Sequence, residues 1–230
     1  EDAVLFKWTL APKSAWDHDH VDFGGYLGQV MTKVESVASA NCGGVPVLLA
    51  ATNFMPSWTG TSPKRERIVA VTGSLDAPPR ILAKASELVL TIAQKENAKA
   101  TKVEGLALSA DCRTLYVGLR SVLTTTGADS MREEIYPLTL DVDWSGTREE
   151  AVLGEPIVMR TPDTCSGKDE GISSLDLLPD GFSFSTTSLV YVLKSRFTAH
   201  LWELPSKARK GVSMVRMFRD PLVGMVGAQK

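Results

Sequence analysis

The stretch KVEGLA at residues 102–107 decides the fold, because related stretches occur before and after it. They read KVESVA at 33–38 and KDEGIS at 168–173, and their glutamates are 69 and 66 residues apart. In each copy a lysine stands two places before the glutamate, and a small residue and then an aliphatic one follow it. Recurrence at a regular distance indicates a repeat architecture.

The sequence pattern of each repeat predicts four strands. The first strand ends in a cluster of Asn, Asp, Gly or Pro residues, which suit tight turns. Two apolar strands and a fourth stretch follow it. The second and third strands are predicted at 45–52 and 67–72, at 114–120 and 134–140, and at 181–187 and 199–204. The fourth is predicted at 151–159, at 212–218 and, in the first repeat, at 80–90, where the pattern continues into a short helix near residues 86–99.

Repeated four-stranded antiparallel units are typical of an all-β fold of the β-propeller class. Propeller blades hold about 40–50 residues, so these would be blades with long loops. We expect a single domain over residues 1–230, with blades at about 33–101, 102–167 and 168–230 and a partial blade at 1–32. The alternative is a two-sheet sandwich in which the repeat arises by chance.

The predicted blades are too few to close a ring, since propellers typically contain about four to eight. Three explanations remain open. The chain assembles with further blades, the sequence is part of a longer one, or the repeats divide into five thinner blades. The sequence starts at Glu1 rather than at a methionine, so we expect that an N-terminal segment has been removed.

Composition excludes several classes of protein. Hydrophobic residues make up 43% of the chain and charged residues 23%, as in globular proteins with a core, and the formal net charge is −2. No block of Lys and Arg indicates nucleic-acid binding. No apolar run is long enough to predict a transmembrane helix. The three cysteines are too few for a dense disulfide framework, and we expect free or incidentally paired thiols.

The middle repeat resembles the phytase-like β-propeller group, whose members are often labelled "esterase-like activity of phytase". The likeness is carried by EGLA at 104–107, LYVG at 115–118 and Arg120, and it extends to PKRERI at 63–68. The resemblance implies a phosphoesterase-like activity on a phosphorylated small molecule and a secreted or periplasmic location. It also implies that Arg120 and Arg65 bind the ligand. Two departures are the sequence ADC at 110–112 in place of Pro-Asp-Gly, and Ser36 in place of a glycine.

The repeated glutamates are the candidate metal ligands. The first strand of each propeller blade lines the central channel, so Glu35, Glu104 and Glu170 should converge at one end of it. Three nearby carboxylates repel each other, and a hard cation such as Ca²⁺ would stabilise their ionised forms. The alternative is that each glutamate accepts backbone hydrogen bonds or pairs with a basic residue. The available basic residues are Lys33, Lys102, Lys168 and Arg120.

Other residues point less clearly to chemistry. Trp58, in the loop 53–63, is expected to be exposed on the binding face of the propeller. The cluster DHDH at 17–20 alternates too closely to face one ion, and we interpret it as a solvated acidic loop. The sequence has no Gly-x-Ser-x-Gly or His-Glu-x-x-His motif. We therefore predict a binding or assembly module that takes a protein partner or further blades. The alternative is a metal-assisted phosphoesterase-like hydrolase at the channel mouth.

Overall fold

The computed structural model of the protein describes residues 34–55, 66–73, 78–158, 171–178, 181–187, 199–205 and 215–220. From residue 178 onward it describes the backbone alone. Several predictions lie outside these residues. They are the partial blade at 1–32, the cluster at 17–20, Trp58, Arg65 and Glu170.

Three antiparallel sheets follow one another along the chain. The first contains β1 (Ser36–Cys42), β2 (Val45–Ala51), β3 (Ile68–Thr72) and β4 (Arg80–Leu82). The second contains β5 (Ala98–Leu108), β6 (Thr114–Thr124), β7 (Asp129–Val142) and β8 (Glu149–Leu153), with β9 (Ile157–Val158) paired to β7. The third contains β10 (Gly171–Leu178), β11 (Gly181–Thr187), β12 (Ala199–Pro205) and β13 (Val215–Asp220).

Apart from β9, which pairs with β7, the strands of each sheet follow one another in sequence order, so strands adjacent along the chain are neighbours in space. The prediction of a mainly β protein made of antiparallel sheets is thereby confirmed, with four strands in the first and third sheets and five in the second. The described residues do not form a closed ring of sheets.

The predicted turns of the first two repeats lie at the ends of their first strands, and residues 179–180 of the third turn lie outside the described residues. Asn41 Oδ1 accepts a hydrogen bond of 2.8 Å from the Gly44 backbone N–H. Gly43 and Gly44 have φ values of 65° and 91°, which is the left-handed backbone that a two-residue hairpin loop requires. At the β5–β6 turn, Asp111 Oδ1 accepts a hydrogen bond of 3.1 Å from the Arg113 N–H.

The single helix of the described residues, α1 (Ala83–Lys95), follows β4 directly. Ala85, Ser86, Val89 and Ile92 form its buried face at helical spacing. The helix begins and ends three to four residues earlier than predicted. It ends early because Asn97 has a φ of 50°, the left-handed conformation that commonly terminates helices, and β5 then begins at Ala98.

The start of α1 is held by both neighbouring sheets. Leu82 supplies no side-chain cap, and Glu149 of β8 accepts a hydrogen bond of 2.9 Å from the Ala85 N–H instead. The Ser86 hydroxyl accepts one of 2.8 Å from the Ile68 N–H of β3. The first bond satisfies a backbone donor that a helix start leaves unpaired, and together the two bonds tie α1 to the second and first sheets.

The first two sheets and α1 share one hydrophobic core. Its fully buried members come from all three parts and include Leu49, Ile68, Leu82, Ile92, Leu115 and Leu119. The third sheet joins through β10, where Ile172 is fully buried against the second sheet. Glycines allow this close approach. A Cβ at Gly105 would lie 2.9 Å from Leu175 Cβ, and one at Gly118 would lie 2.9 Å from Ile172 Cγ2.

A disulfide joins Cys42 to Cys112, with 5.6 Å between their Cα atoms. It links the β1–β2 turn of the first sheet to the β5–β6 turn of the second. We expected free or incidentally paired thiols, whereas these two cysteines form a specific inter-sheet bond. They meet because equivalent turns of two adjacent sheets lie at the same end.

Arg80 of β4 provides a second link between the first two sheets. Its guanidinium donates hydrogen bonds to four backbone carbonyls in the β7–β8 turn. The acceptors are the oxygens of Asp143 and Gly146 at 2.7 Å, Thr147 at 3.1 Å and Arg148 at 2.8 Å. A planar guanidinium with five N–H donors can bind several carbonyls of one turn at once, whereas a lysine ammonium group has only three donors.

We expect Arg80→Ala to lower the free energy of unfolding by about 1–2 kcal/mol, because four charge-assisted bonds that join two sheets are lost together. Arg148→Ala is the matched control. Its side chain pairs with Asp141 at an exposed position, and such pairs contribute roughly 0–1 kcal/mol. Urea denaturation measures both. Equal losses in the two variants would contradict the proposed role of Arg80.

Candidate functional site

The first strands of the three sheets border one open cleft of about 250 Å³, which we call the inner-strand cleft. The first sheet contributes residues 34–37, the second contributes Glu104 and Leu106, and the third contributes residues 173–175. The cleft therefore lies where equivalent positions of the repeats meet. Val34 and Val37 are 36% and 45% exposed, so its walls mix apolar and polar groups.

Glu104 reaches the cleft from a β-bulge. In the β5–β6 ladder, Val103 pairs with Leu119 and Gly105 with Gly118, which leaves Glu104 as an extra residue. Arg120 is the corresponding extra residue on β6. Bulges redirect side chains and occur often beside functional sites. Here two successive bulges bring a carboxylate and a guanidinium together.

The carboxylate of Glu104 is held by two cations. Lys102 Nζ lies 2.6 Å from Oε1, and Arg120 donates a hydrogen bond of 2.5 Å to Oε2. The side chains of Glu104 and Arg120 are only 12% and 10% exposed, so the pair is shielded from water. This arrangement fixes the direction of the carboxylate.

Ser36 is the polar residue of the cleft that lacks a partner. It is 8% exposed, and its Oγ has no hydrogen-bond partner among the described residues. A buried hydroxyl without a partner loses hydrogen-bond energy that a ligand or a water molecule restores. Because Ser36 lines the cleft, it offers a donor and an acceptor there.

The structure places two of the three predicted metal ligands, Glu35 and Glu104, in the same cleft. Within the described part of the chain, no group of three or more His, Cys, Asp or Glu residues is arranged to hold a metal ion. Both oxygens of Glu104 already contact cationic nitrogens. Each of these oxygens keeps a second lone pair, but a Ca²⁺ ion at Glu104 would lie against the positive charges of Lys102 and Arg120, which oppose its binding.

Of the predicted ligand-binding residues, Arg120 is 8% exposed and contacts Glu104. Glu66, next in sequence to Arg65, is 5% exposed. Burial raises the pKa of the Glu66 carboxyl, and hydrogen bonds from the Thr52 side chain and the Phe54 backbone partly offset this.

A second cluster of ionisable groups lies on β7 and the end of α1, and we did not predict it. Glu96 follows the last residue of α1 and accepts hydrogen bonds from Tyr136 and Arg132 of β7. Glu134 lies beside them. The two-residue spacing of Arg132, Glu134 and Tyr136 was the available signal. The contact with Glu96 could come only from the fold.

No helix in the described ranges is long and apolar enough to cross a membrane. No family model matches the chain, and no curated protein matches it.

Solved structures give distant matches to this chain. One is a Trypanosoma rangeli sialidase in complex with 2,3-difluorosialic acid, a covalent intermediate, with a TM-score of 0.44 and 11% identity. Another is a Trypanosoma rangeli sialidase in complex with 2,3-difluoro-KDN, with a TM-score of 0.42 and 10% identity. Both matches cover 83% of this chain and 31% of the sialidase chain. Similarity this low carries no argument about fold or activity.

Proposed function

We propose that this protein is a binding and assembly module of β-propeller type. The observation that carries the proposal is that the first strands of three successive antiparallel sheets border one cleft. Blades of a propeller meet through their first strands in this way around a central channel. The phytase-like resemblance of the middle repeat is in accord with this architecture.

The assembly part of the proposal follows from the number of sheets. A propeller ring contains about four to eight blades, and closure protects the edges of its sheets. Among the described residues, the first sheet packs against the second and the second against the third. Further blades from a second copy of the chain or from another protein would complete the ring.

The cleft suits hydrogen-bonded recognition rather than long-range attraction. The charges of Glu35 and Glu104 are balanced by those of Lys102 and Arg120, so the site is nearly neutral. Ser36 offers a buried hydroxyl, and Val34 and Val37 offer apolar surface. A polar segment of a protein partner with small apolar side chains fits this chemistry.

Light scattering on size-exclusion fractions tests the assembly. We expect the wild-type protein to elute as an assembly heavier than a monomer. Val37→Trp should reduce its mass, because the indole would fill the cleft. The matched control is Val152→Trp, at a position on β8 that is 66% exposed and outside the cleft. A monomeric wild type would contradict the assembly, and an unchanged Val37→Trp variant would contradict the role of the cleft.

The alternative is a metal-assisted phosphoesterase with Glu35, Glu104 and Glu170 around a Ca²⁺ ion. It is favoured by the placement of Glu35 and Glu104 in one cleft and opposed by the ion pairs of Glu104. Calorimetric titration with CaCl₂ separates the two proposals. Heat release with a raised melting temperature, together with EDTA-sensitive hydrolysis of a phosphomonoester, would favour the enzyme. No heat and no change in melting temperature would remove the metal.

A further inference from the structure

We propose that Glu96 and Glu134 share one proton and thereby make the docking of the α1 C-terminus on β7 sensitive to pH. We call these two residues the carboxyl pair. The docked state, in which one of the two is protonated, is stable in mildly acidic solution and loosens as the pH rises to neutral. This device lies outside the inner-strand cleft and is independent of the proposed binding function.

The position of the carboxyl pair follows from the hydrogen bonds around Glu96. Its Oε1 accepts a hydrogen bond from the Tyr136 hydroxyl, and its Oε2 accepts one of 3.2 Å from Arg132 Nε. Glu134 and Tyr136 are two residues apart on β7 and so point to the same face of the sheet. Glu134 therefore lies beside Glu96 on the face that carries Tyr136.

Glu134 is poorly suited to carry a charge here. Its Oε2 is buried and has no hydrogen-bond partner among the described residues. An ionised carboxylate with an unsatisfied buried oxygen is costly, whereas a protonated one donates its O–H to Glu96. Burial and, after it, the negative charge of Glu96 raise the pKa of Glu134 to about 7.

Glu96, in contrast, is surrounded by groups that favour its ionised form. Burial alone would raise the pKa of its carboxyl, but the hydrogen bonds from Tyr136, Arg132 and Glu134 outweigh burial and lower it. Burial, with the hydrogen bond to Glu96, also raises the pKa of the Tyr136 hydroxyl, which stays protonated as a donor. The pair thus carries one proton, and Glu134 is the residue that holds it.

The surrounding charges do not compensate a second carboxylate. On α1, Lys95 pairs with Glu155 at 3.5 Å. Glu155 itself adds negative charge near Tyr136. The cation that contacts the pair from β7 is Arg132. On the neighbouring strands, Glu134 is paired with the apolar residues Leu119 of β6 and Val158 of β9. Loss of the shared proton therefore leaves two carboxylates facing one guanidinium.

The direction of the pH effect follows from these pKa values. Glu134 binds its proton more tightly in the folded protein, so the stability from this proton is complete below pH 4.5 and is lost as the pH rises through about 7. The contribution of Glu96 is present above pH 4.5 and is lost below it, because its pKa is lowered from that value. Docking is therefore most stable near pH 4.5 and weakens steadily as the pH rises toward 7.

Amide hydrogen exchange at the end of α1 measures this docking directly. The reporters are the Glu96 N–H, bonded to the Ile92 carbonyl, and the Asn97 N–H, bonded to the Gln94 carbonyl. We expect the protection of both amides to fall about tenfold in the wild type between pH 6 and pH 8, after correction for intrinsic exchange. In Glu134→Gln the amide side chain still donates to Glu96 and cannot ionise. In this variant the protection of the Glu96 and Asn97 amides should therefore stay constant over the same pH range.

Glu150→Gln, at an exposed position of β8, is the matched control and should behave as the wild type does. Buried Glu66 is present in all three proteins, so its titration cancels in the comparison. A second readout is the ¹³C chemical shift of the Glu134 carboxyl, whose midpoint near 7 should fall toward 4.5 in Glu96→Gln. Equal loss of protection in the wild type and Glu134→Gln, or an unshifted midpoint in Glu96→Gln, would overturn the proposal.

Discussion

Gly171→Ala is expected to lower the free energy of unfolding by about 3 kcal/mol, one of the two largest effects that we predict. A Cβ at this position would lie 1.9 Å from the Arg120 carbonyl oxygen and 2.8 Å from its carbonyl carbon. These are backbone atoms of β6, which cannot move aside as a flexible side chain can. The strand β10 would have to shift away from the second sheet.

Gly127→Ala is the control for backbone strain without a clash. Gly127 has a φ of 90°, and a Cβ there would meet no atom within 4 Å. We expect this variant to lose only about 1–2 kcal/mol, the cost of a left-handed conformation. Urea denaturation measures both changes. A loss in Gly171→Ala no larger than that in Gly127→Ala would show that β10 does not press on β6.

The same substitution should alter the inner-strand cleft, because Ser173 and Ser174 of β10 form one of its walls. Gly171 stands directly after the third repeated glutamate, where the other repeats have Gly105 and Ser36. In the second and third repeats, packing therefore explains why the residue after the glutamate is small. It allows the first strand of one sheet to approach the next.

The second large effect concerns the disulfide. Cys42→Ser combined with Cys112→Ser should lower the free energy of unfolding by about 2–4 kcal/mol, because the bond closes a loop between residues 70 apart in the unfolded chain. Chemical denaturation with and without a thiol reductant measures this. Reductant should lower the stability of the wild type and leave the double variant unchanged.

Cys165→Ser is the control for this pair, since it removes the third cysteine and leaves the Cys42–Cys112 bond in place. We expect it to keep the wild-type response to reductant. A double variant as stable as the wild type would contradict the stabilising role of the bond. Disulfides of this kind are typical of oxidising compartments, and the secreted or periplasmic location remains our prediction.

The repeated sequence was sufficient to predict the sheets, because their signals are local. Alternating apolar residues and Asn, Asp or Gly turns act within about ten residues. The strands of the second repeat show this: 114–120 was predicted and Thr114–Thr124 is observed. The α1 helix was predicted by its apolar spacing, and its end was misplaced because the left-handed conformation of Asn97 leaves only a weak sequence signal.

The candidate site was likewise predictable in part from the sequence and in part only from the structure. The spacing of the repeats was enough to indicate that Glu35 and Glu104 belong to equivalent strands, and the structure places both in one cleft. Sequence could not choose between a cation, a backbone donor and a basic side chain for Glu104. That choice depended on two bulges, which brought Arg120 and Lys102 to its oxygens.

Repeat, strand order and turn chemistry were therefore readable from residues close together in the chain. The Cys42–Cys112 bond, the Arg80 contacts and the carboxyl pair were decided only by tertiary structure, since each joins groups at least 35 residues apart or in different sheets. An odd number of cysteines permits several pairings, and a surface glutamate has the same local pattern as Glu134. Only the packing of α1 and the sheets sets the distances, burial and opposing charges that give these residues their roles.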